Sequence, residues 1–133
     1  MSTFEYSGIN ESATVDFLAK AALTAPKGIF LALDSDGAKL PSAGGDVVGI
    51  AIISNPDAVA AGGRVDVQVK DIGLVYASAS FAAGALLTTD AAGKAKAAAS
   101  GDAVVARAME AAGAAGDLVK VQLINAGAVV AGS

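Results

Sequence analysis

The sequence predicts a mainly β protein, with a compact body resembling a β-barrel or β-sandwich, built from two tandem repeats and preceded by an extended N-terminal arm. Three observations predict this fold. Apolar residues alternate with period two in several short segments, turn residues separate those segments, and the same motifs recur in the same order. The chain of 133 residues is long enough for one domain, or for two small lobes sharing a core. We assign residues 1–22 to the arm and residues 23–133 to the body.

Two copies of one unit occupy about residues 27–73 and 83–127. Each copy contains an Asp-x-x-Gly motif, then a Gly-Asp pair, then a strand-like motif with a central glutamine. These motifs are Asp34–Gly37, Gly45–Asp46 and Val65–Val69 in the first copy, and Asp90–Gly93, Gly101–Asp102 and Val119–Leu123 in the second. The ordered recurrence indicates a duplicated β unit, because alanine-rich sequence alone would not repeat three motifs in order.

Alternation of apolar residues predicts the individual strands. The segments that show it are Ile29–Leu33, Val47–Ile53, Val65–Lys70, Leu74–Ala77 and Val119–Leu123. Asp34–Gly37 and Asp90–Gly93 supply turns, since aspartate bonds nearby backbone N–H groups and glycine adopts positive φ.

Two segments do not follow this pattern clearly. Thr14–Ala22 fits either a short helix capped by Thr14 or a strand through Val15 and Phe17. The alanine-rich segment 103–115 has the composition of a helix, yet its counterpart in the first copy alternates like a strand. We therefore predict a strand at Val104–Met109, and we leave both alternatives open for Thr14–Ala22.

Composition excludes several function classes. The chain has no cysteine and no histidine, which removes thiol nucleophiles, Ser-His-Asp triads and histidine or cysteine metal sites. Nine basic against thirteen acidic residues, with no basic cluster, argue against nucleic-acid binding. The acidic N-terminus is unlike a signal peptide, and polar residues and glycines interrupt the longest uncharged stretch, Ile72–Thr89, which argues against a membrane partner. The absence of cysteine fits synthesis in a reducing cytosol, or a protein whose stability comes from packing and assembly instead of disulfides.

No segment stands out as a catalytic, cofactor or metal site. Asp34-Ser-Asp36-Gly37 resembles the start of a calcium loop, but the later ligands of such a loop do not follow, so a β-turn explains it better. Asp46 and Asp102 occupy equivalent repeat positions, which favours turn roles over a catalytic carboxylate pair. We therefore predict no enzyme, no cofactor and no metal ligand.

Three long segments carry a family resemblance. Residues 21–39 with 45–51, residues 82–95 and residues 105–123 resemble the capsid cement, or head decoration, proteins of tailed bacteriophages, and the likeness covers about residues 20–125. The resemblance implies a protein made in the host cytoplasm that binds the outer surface of the mature capsid. It also implies the major capsid protein as partner, stabilisation of its subunit contacts, and a homotrimer.

The N-terminal arm is the candidate contact with the capsid. Within the polar segment 2–12, Phe4, Tyr6 and Ile9 are isolated apolar residues that could enter capsid pockets or add a strand to a sheet edge. The alternative is a disordered tail with no binding role. Two other functions stay open: another virion subunit such as a spike or fibre base, and a carbohydrate- or cell-surface-binding β module. The few aromatic residues disfavour the β module.

Overall fold

The computed structural model describes the backbone of residues 14–128 and the side chains up to Ile124. All of its regular structure is β. The strands are β1 (Thr14–Leu18), β2 (Leu23–Thr24), β3 (Ile29–Asp34), β4 (Gly37–Lys39), β5 (Gly49–Ala51), β6 (Ala58–Val59), β7 (Arg64–Gln68), β8 (Ile72–Tyr76), β9 (Leu86–Thr89), β10 (Ala95–Ala97), β11 (Ala103–Ala108) and β12 (Leu118–Ala128). The predicted mainly β fold is confirmed. The described part of the chain contains no helix of the length and apolar character that a membrane crossing requires.

Two five-stranded antiparallel sheets form the body. The first sheet has the order β1-β7-β5-β3-β4, the second has the order β10-β9-β11-β12-β8, and β2 pairs with β6 in a small separate ribbon. In each large sheet a single parallel bridge connects the two edges, Ala19 to Ala38 in the first and Ala77 to Ala95 in the second. Because one bridge is not a strand ladder, the body is sandwich-like and not a closed barrel.

The two sheets repeat one strand order. Read from β4 and from β10, the sequences β4-β3-β5-β7-β1 and β10-β9-β11-β12-β8 match strand for strand. β1 is therefore the counterpart of β8, and each sheet starts earlier in the chain than the motifs of the repeat. Below, the first half is the part from β1 to β7, and the second half is the part from β8 to β12.

The two ambiguous segments are both resolved as strands. Thr14–Leu18 pairs with β7 along its whole length, so these residues belong to the first sheet. Ala103–Ala108 forms β11, as the duplication argument predicted, with a register shift between Val104 and Ala106. The strand predicted over Val47–Ile53 is confirmed only as the shorter β5 (Gly49–Ala51).

Aspartates build equivalent hairpin turns in the two halves. In the β3–β4 turn the Asp36 N–H donates to Asp34 Oδ1 at 2.8 Å. In the β9–β10 turn the N–H groups of Ala92 and Lys94 donate to Asp90 Oδ1 at 2.9 and 2.8 Å. This geometry is the Asx turn that the sequence predicted for both motifs.

Two apolar clusters fill the body. One lies within the first sheet and includes Leu31, Val65 and Val67. The other lies mainly within the second sheet, yet it also contains Phe30 and Ile50 of the first half. Phe30 and Ile50 are paired across β3 and β5, so the first sheet contributes one of its faces to the core of the second.

Backbone hydrogen bonds join the halves around this shared core. The Phe30 N–H donates to the Gly93 carbonyl at 2.7 Å, and the Tyr76 N–H donates to the Gly28 carbonyl at 2.7 Å. The Gly44 N–H donates to the Thr89 carbonyl at 2.8 Å. The two halves therefore pack through a specific interface and do not form separate lobes.

Candidate functional site

The residues predicted to contact a partner lie outside the described part of the chain. Phe4, Tyr6 and Ile9 precede Thr14, where the description begins. The chain enters the body at β1, an edge strand of the first sheet. The segment that carries the three residues is thus attached directly to a sheet edge.

Two carboxylates that the sequence singled out, those of Asp34 and Asp102, serve ion pairs and a turn. Asp34 Oδ2 lies 2.6 Å from Lys20 Nζ and 3.3 Å from Lys39 Nζ. The Lys20 ammonium, assisted by the Asp36 N–H, holds the pKa of Asp34 well below its usual range. Asp102 Oδ2 accepts the Ala99 N–H at 2.9 Å, which is a turn role. Within residues 14–128 no group of three or more acidic, histidine or cysteine side chains could hold a metal ion.

A groove of about 550 Å³ lies where the two halves meet, and it is mostly apolar. Its walls include Leu40 and Ile29 from the first half and Tyr76 from the second, with Lys27 and Lys94 at the rim. Lys27 Nζ forms an ion pair with Asp57 at 2.7 Å, and this contact lowers the pKa of the Asp57 carboxyl. Lining of this kind offers apolar contact and positive charge, and it brings no pair of carboxylates together.

The outer face of the second sheet is a further candidate binding surface. The register places three cross-strand rows on it: Ile72, Gln122, Arg107 and Leu86; then Leu74, Lys120 and Met109; then Tyr76 and Leu118. Five of these apolar side chains are at least 36% exposed: Ile72, Leu74, Leu86, Met109 and Leu118. Gln122, Lys120 and Arg107 lie between the apolar residues at the β8 edge and Leu86 and Met109, so the face combines exposed apolar groups with polar and positively charged ones, a composition that suits protein interaction.

Sequence reasoning missed this face because β7 and β12, its counterpart in the second half, show the same alternation of inward apolar residues. The distinguishing signal lies in the outward positions, where Arg64 and Asp66 of the first half correspond to Leu118 and Lys120 of the second. An apolar residue at an outward strand position has to be covered by something or remain exposed. Comparing the outward residues of the two copies would have identified the face.

The chain resembles known phage proteins in sequence and in fold. No curated protein matches it. Among solved structures it is similar to the N base of the head fiber gp8.5 in bacteriophage phi29, with 20% sequence identity and a TM-score of 0.57. That likeness covers 86% of this chain and 95% of the other, and it establishes a shared fold. The family model for phage cement proteins matches residues 9–123. This chain, with its duplicated β body and exposed apolar sheet face, therefore belongs to the phage cement protein family.

Proposed function

We propose that this protein binds the outer surface of a mature phage capsid and stabilises the contacts between neighbouring major capsid protein subunits. The family match over residues 9–123 carries the proposal. Cement proteins are structural components of the virion on the outside of the capsid, and the proposal adds the partner and the effect of binding. In this proposal the protein acts by binding and catalyses no reaction.

The physics of cementing needs only selective binding. A protein that binds the assembled shell, and not its separated subunits, stabilises assembly by RT ln(1 + [L]/Kd), about 2.7 kcal/mol for each site at one hundred times Kd. Many symmetric sites act together on one shell, so modest affinity at each site is sufficient. A body of paired strands with a shared core supplies a preorganised surface, which reduces the ordering cost of binding.

We propose that the protein acts as a homotrimer. A trimer presents three equivalent surfaces to capsid subunits arranged around a threefold axis, so symmetry matches protein to shell. Each trimer would then bridge several subunits at once, and detachment would require all of its contacts to break.

The N-terminal segment 2–12 is the proposed clamp. Phe4, Tyr6 and Ile9 would enter capsid pockets or extend a capsid sheet. Support comes from the attachment of this segment at Thr14, because β1 is an edge strand and an arm leaving an edge can reach away from the body. The proposal assigns adhesion to the arm and rigidity to the sheets.

Co-sedimentation with bare capsids tests the proposed function directly. Protein mixed with expanded capsids that lack it should pellet with them in a fixed ratio, and the loaded capsids should resist heat to a higher temperature than bare ones. A mixture with dissociated capsid subunits is the matched control and should show much weaker binding. Protein that stays in the supernatant, or that pellets without raising capsid stability, would contradict the proposal. Attachment without stabilisation would favour a spike or fibre base.

Deletion of residues 2–12 tests the clamp separately. We expect the truncated protein to keep its circular dichroism spectrum and melting temperature and to lose at least tenfold in capsid affinity. Replacing Phe4, Tyr6 and Ile9 together by serine should have the same effect, whereas Ser2→Ala with Ser7→Ala should not. Unchanged occupancy in both variants would show that the arm is not the clamp.

A further inference from the structure

The interface between the two halves joins unlike surfaces of one repeated unit. The first half contributes the face carrying Phe30 and Ile50, and the second half contributes its β8 edge with Gly73 and Val75. A Cβ built on Gly73 would lie 3.1 Å from Ile50 Cδ1, so the two surfaces are in direct contact. Because the halves are duplicates, each also carries a counterpart of the surface that the other uses.

The second half carries the counterpart of the Phe30 face. Pairing in the sheets makes Leu86 equivalent to Phe30 and Arg107 equivalent to Ile50. Gly84 is equivalent to Gly28, since each donates its N–H to the matching alanine of the next strand. We call Gly84, Leu86, Gly101 and Arg107 the Leu86 face.

The glycines at these positions contact the other half of the molecule in the first half, whereas their counterparts in the second half contact nothing described. Gly28, with φ +62°, packs against the Tyr76 ring, and Gly44, with φ +71°, packs against the Asp102 carboxylate. Gly101 is the counterpart of Gly44, because the following N–H closes the same turn in each half, Gly45 to Ser42 and Asp102 to Ala99, one residue away from the sequence alignment of Gly45 with Gly101. Gly84 and Gly101 also have positive φ, at +85° and +89°, but an added Cβ on either would meet no described atom within 4 Å. The second half therefore keeps the backbone shape of the interface without its partner.

The first half carries the counterpart of the β8 edge, and apolar residues are exposed there. Val15 is equivalent to the buried Gly73, and Leu18 is equivalent to Tyr76. Leu33 is 46% exposed, whereas its equivalent Thr89 is fully buried. We call Val15, Asp16, Leu18 and Leu33 the Leu18 edge.

The residues equivalent to Ile50 and Leu74 carry charges of opposite sign. Within the chain, Ile50 and Leu74 line one groove between the halves. Their equivalents are Arg107 and Asp16, which would line the same groove between two molecules. An apolar pair inside the chain thus corresponds to a positive and a negative side chain on its two exposed surfaces, and docking would bring Arg107 to an Asp16 carboxylate that lies 3.7 Å from Arg64 Nη1 in an exposed ion pair of its own chain.

We propose that the Leu86 face of one molecule docks on the Leu18 edge of a second copy of this chain and repeats the interface between its own halves. The contact is head-to-tail, so it closes into a ring when the rotation between molecules permits. The inference rests on the homotrimer of the proposed function and names the contact that would hold it together. Three molecules joined in this way would present six similar halves around one axis. Capsid affinity is a separate property that can fail or hold independently.

Cross-linking between two single-cysteine variants tests the contact. The chain has no cysteine, so only the introduced thiols react. Leu18→Cys lies at the counterpart of Tyr76, and Ala83→Cys lies next to Gly84, the counterpart of Gly28. Mixed in equal amounts and treated with a short bis-maleimide, they should form covalent dimers, free in solution or bound to capsids, while each variant alone should not. Ala91→Cys, on the exposed β9–β10 turn, replaces Leu18→Cys in the control mixture and should give no dimer.

Charge exchange provides a second test with its own rescue. Arg107→Asp alone and Asp16→Arg alone should each lower the yield of cross-linked dimer about tenfold, and the two changes together should restore it. Lys94→Asp makes the same charge change outside both surfaces and should leave the yield unaltered. Absence of cross-linking in both free and capsid-bound protein, self-linking of either single variant, or failure of the exchange to restore the yield would overturn the inference. Co-sedimentation of the same samples reports capsid binding separately.

Discussion

At the scale of single residues, Asn55 joins the loop before β6 to strand β7. Its buried side chain donates from Nδ2 to the carbonyls of Pro26 and Asp66 at 3.0 and 2.9 Å, and Oδ1 accepts the Asp66 N–H at 2.9 Å. In the second half, Glu110 Oε2 accepts the N–H of Lys120, the counterpart of Asp66, at 2.8 Å in an exposed position. The equivalent N–H groups of Asp66 and Lys120 therefore bond a buried amide in the first half and an exposed carboxylate in the second.

This difference predicts unequal costs of truncation. Asn55→Ala removes a buried side chain that bonds the Pro26 carbonyl in a buried contact and the Asp66 N–H and carbonyl in partly buried ones, and we expect it to lower the free energy of unfolding by about 2–3 kcal/mol. Glu110→Ala is the matched control, and it should cost less than about 1 kcal/mol because water replaces the lost carboxylate. Urea denaturation followed by circular dichroism measures both. Equal losses would contradict the assigned role of burial.

The ion pairs of Asp34 predict how stability varies with pH. Lys20 lowers the pKa of Asp34 in the folded state, so this carboxylate stabilises the fold above its unfolded pKa of about 3.9, and the contribution disappears as the pH falls through the folded value. Asp34 in turn raises the pKa of Lys20, whose contribution is complete below its unfolded pKa of about 10.4 and disappears as the pH rises through its folded value.

Asp34→Asn should therefore flatten both ends of the stability profile. We expect the melting temperature of the variant to fall less than that of the wild type between pH 5 and 2, and less again above pH 10. The matched change in the same turn, Asp36→Asn, should leave the acid limb close to that of the wild type. A variant profile parallel to that of the wild type would show that the pair contributes nothing to folding.

At the scale of elements, β5 lies so close to β7 that there is no room for a side chain at Gly49. A Cβ at this position would lie well inside van der Waals contact with the Gln68 carbonyl oxygen on β7. The backbone of β7 cannot retreat, since β1 pairs with it on the other side. Gly49 thus permits the close approach of two central strands.

Gly49→Ala should separate these strands. We expect a loss of about 1–3 kcal/mol in the free energy of unfolding, because the added methyl group overpacks the β7 backbone and pushes β5 away from it. Gly113→Ala is the control, because its added Cβ would meet only the Asp117 carboxylate at 3.5 Å, an ordinary contact. Hydrogen exchange of the β5 and β7 amides would locate the effect, and protection equal to that of the wild type would contradict it.

The strands could be predicted because their inward residues are apolar in both copies. Alternation identified β3, β7, β8 and β12, and duplication decided between helix and strand for β11. The pairing of β1 with β7 could not be predicted, since Val15 and Phe17 alone fit a helix as well. The candidate binding face was also missed, because exposure depends on how the halves pack, and Phe30 and Leu86 look alike until one of them is covered.

At the scale of the whole molecule, the shared core makes the two halves one folding unit. Phe30 and Ile50 complete the cluster of the second half, and hydrogen bonds from Phe30, Gly44 and Tyr76 cross the same boundary. Either half alone would expose this surface. Neither half is therefore expected to remain folded when the other unfolds.

Leu31 and Leu87 allow a matched test, since they occupy equivalent positions in β3 and β9 and both are fully buried. Leu31→Ala acts in the core of the first half and Leu87→Ala in that of the second, and each should cost about 2–5 kcal/mol. If the halves fold together, each variant shifts one urea transition to lower concentration and keeps its slope. Tyrosine fluorescence, from Tyr6 and Tyr76, and circular dichroism should then give coincident transitions. Two separate transitions, with each variant moving only one, would mean that the halves fold independently.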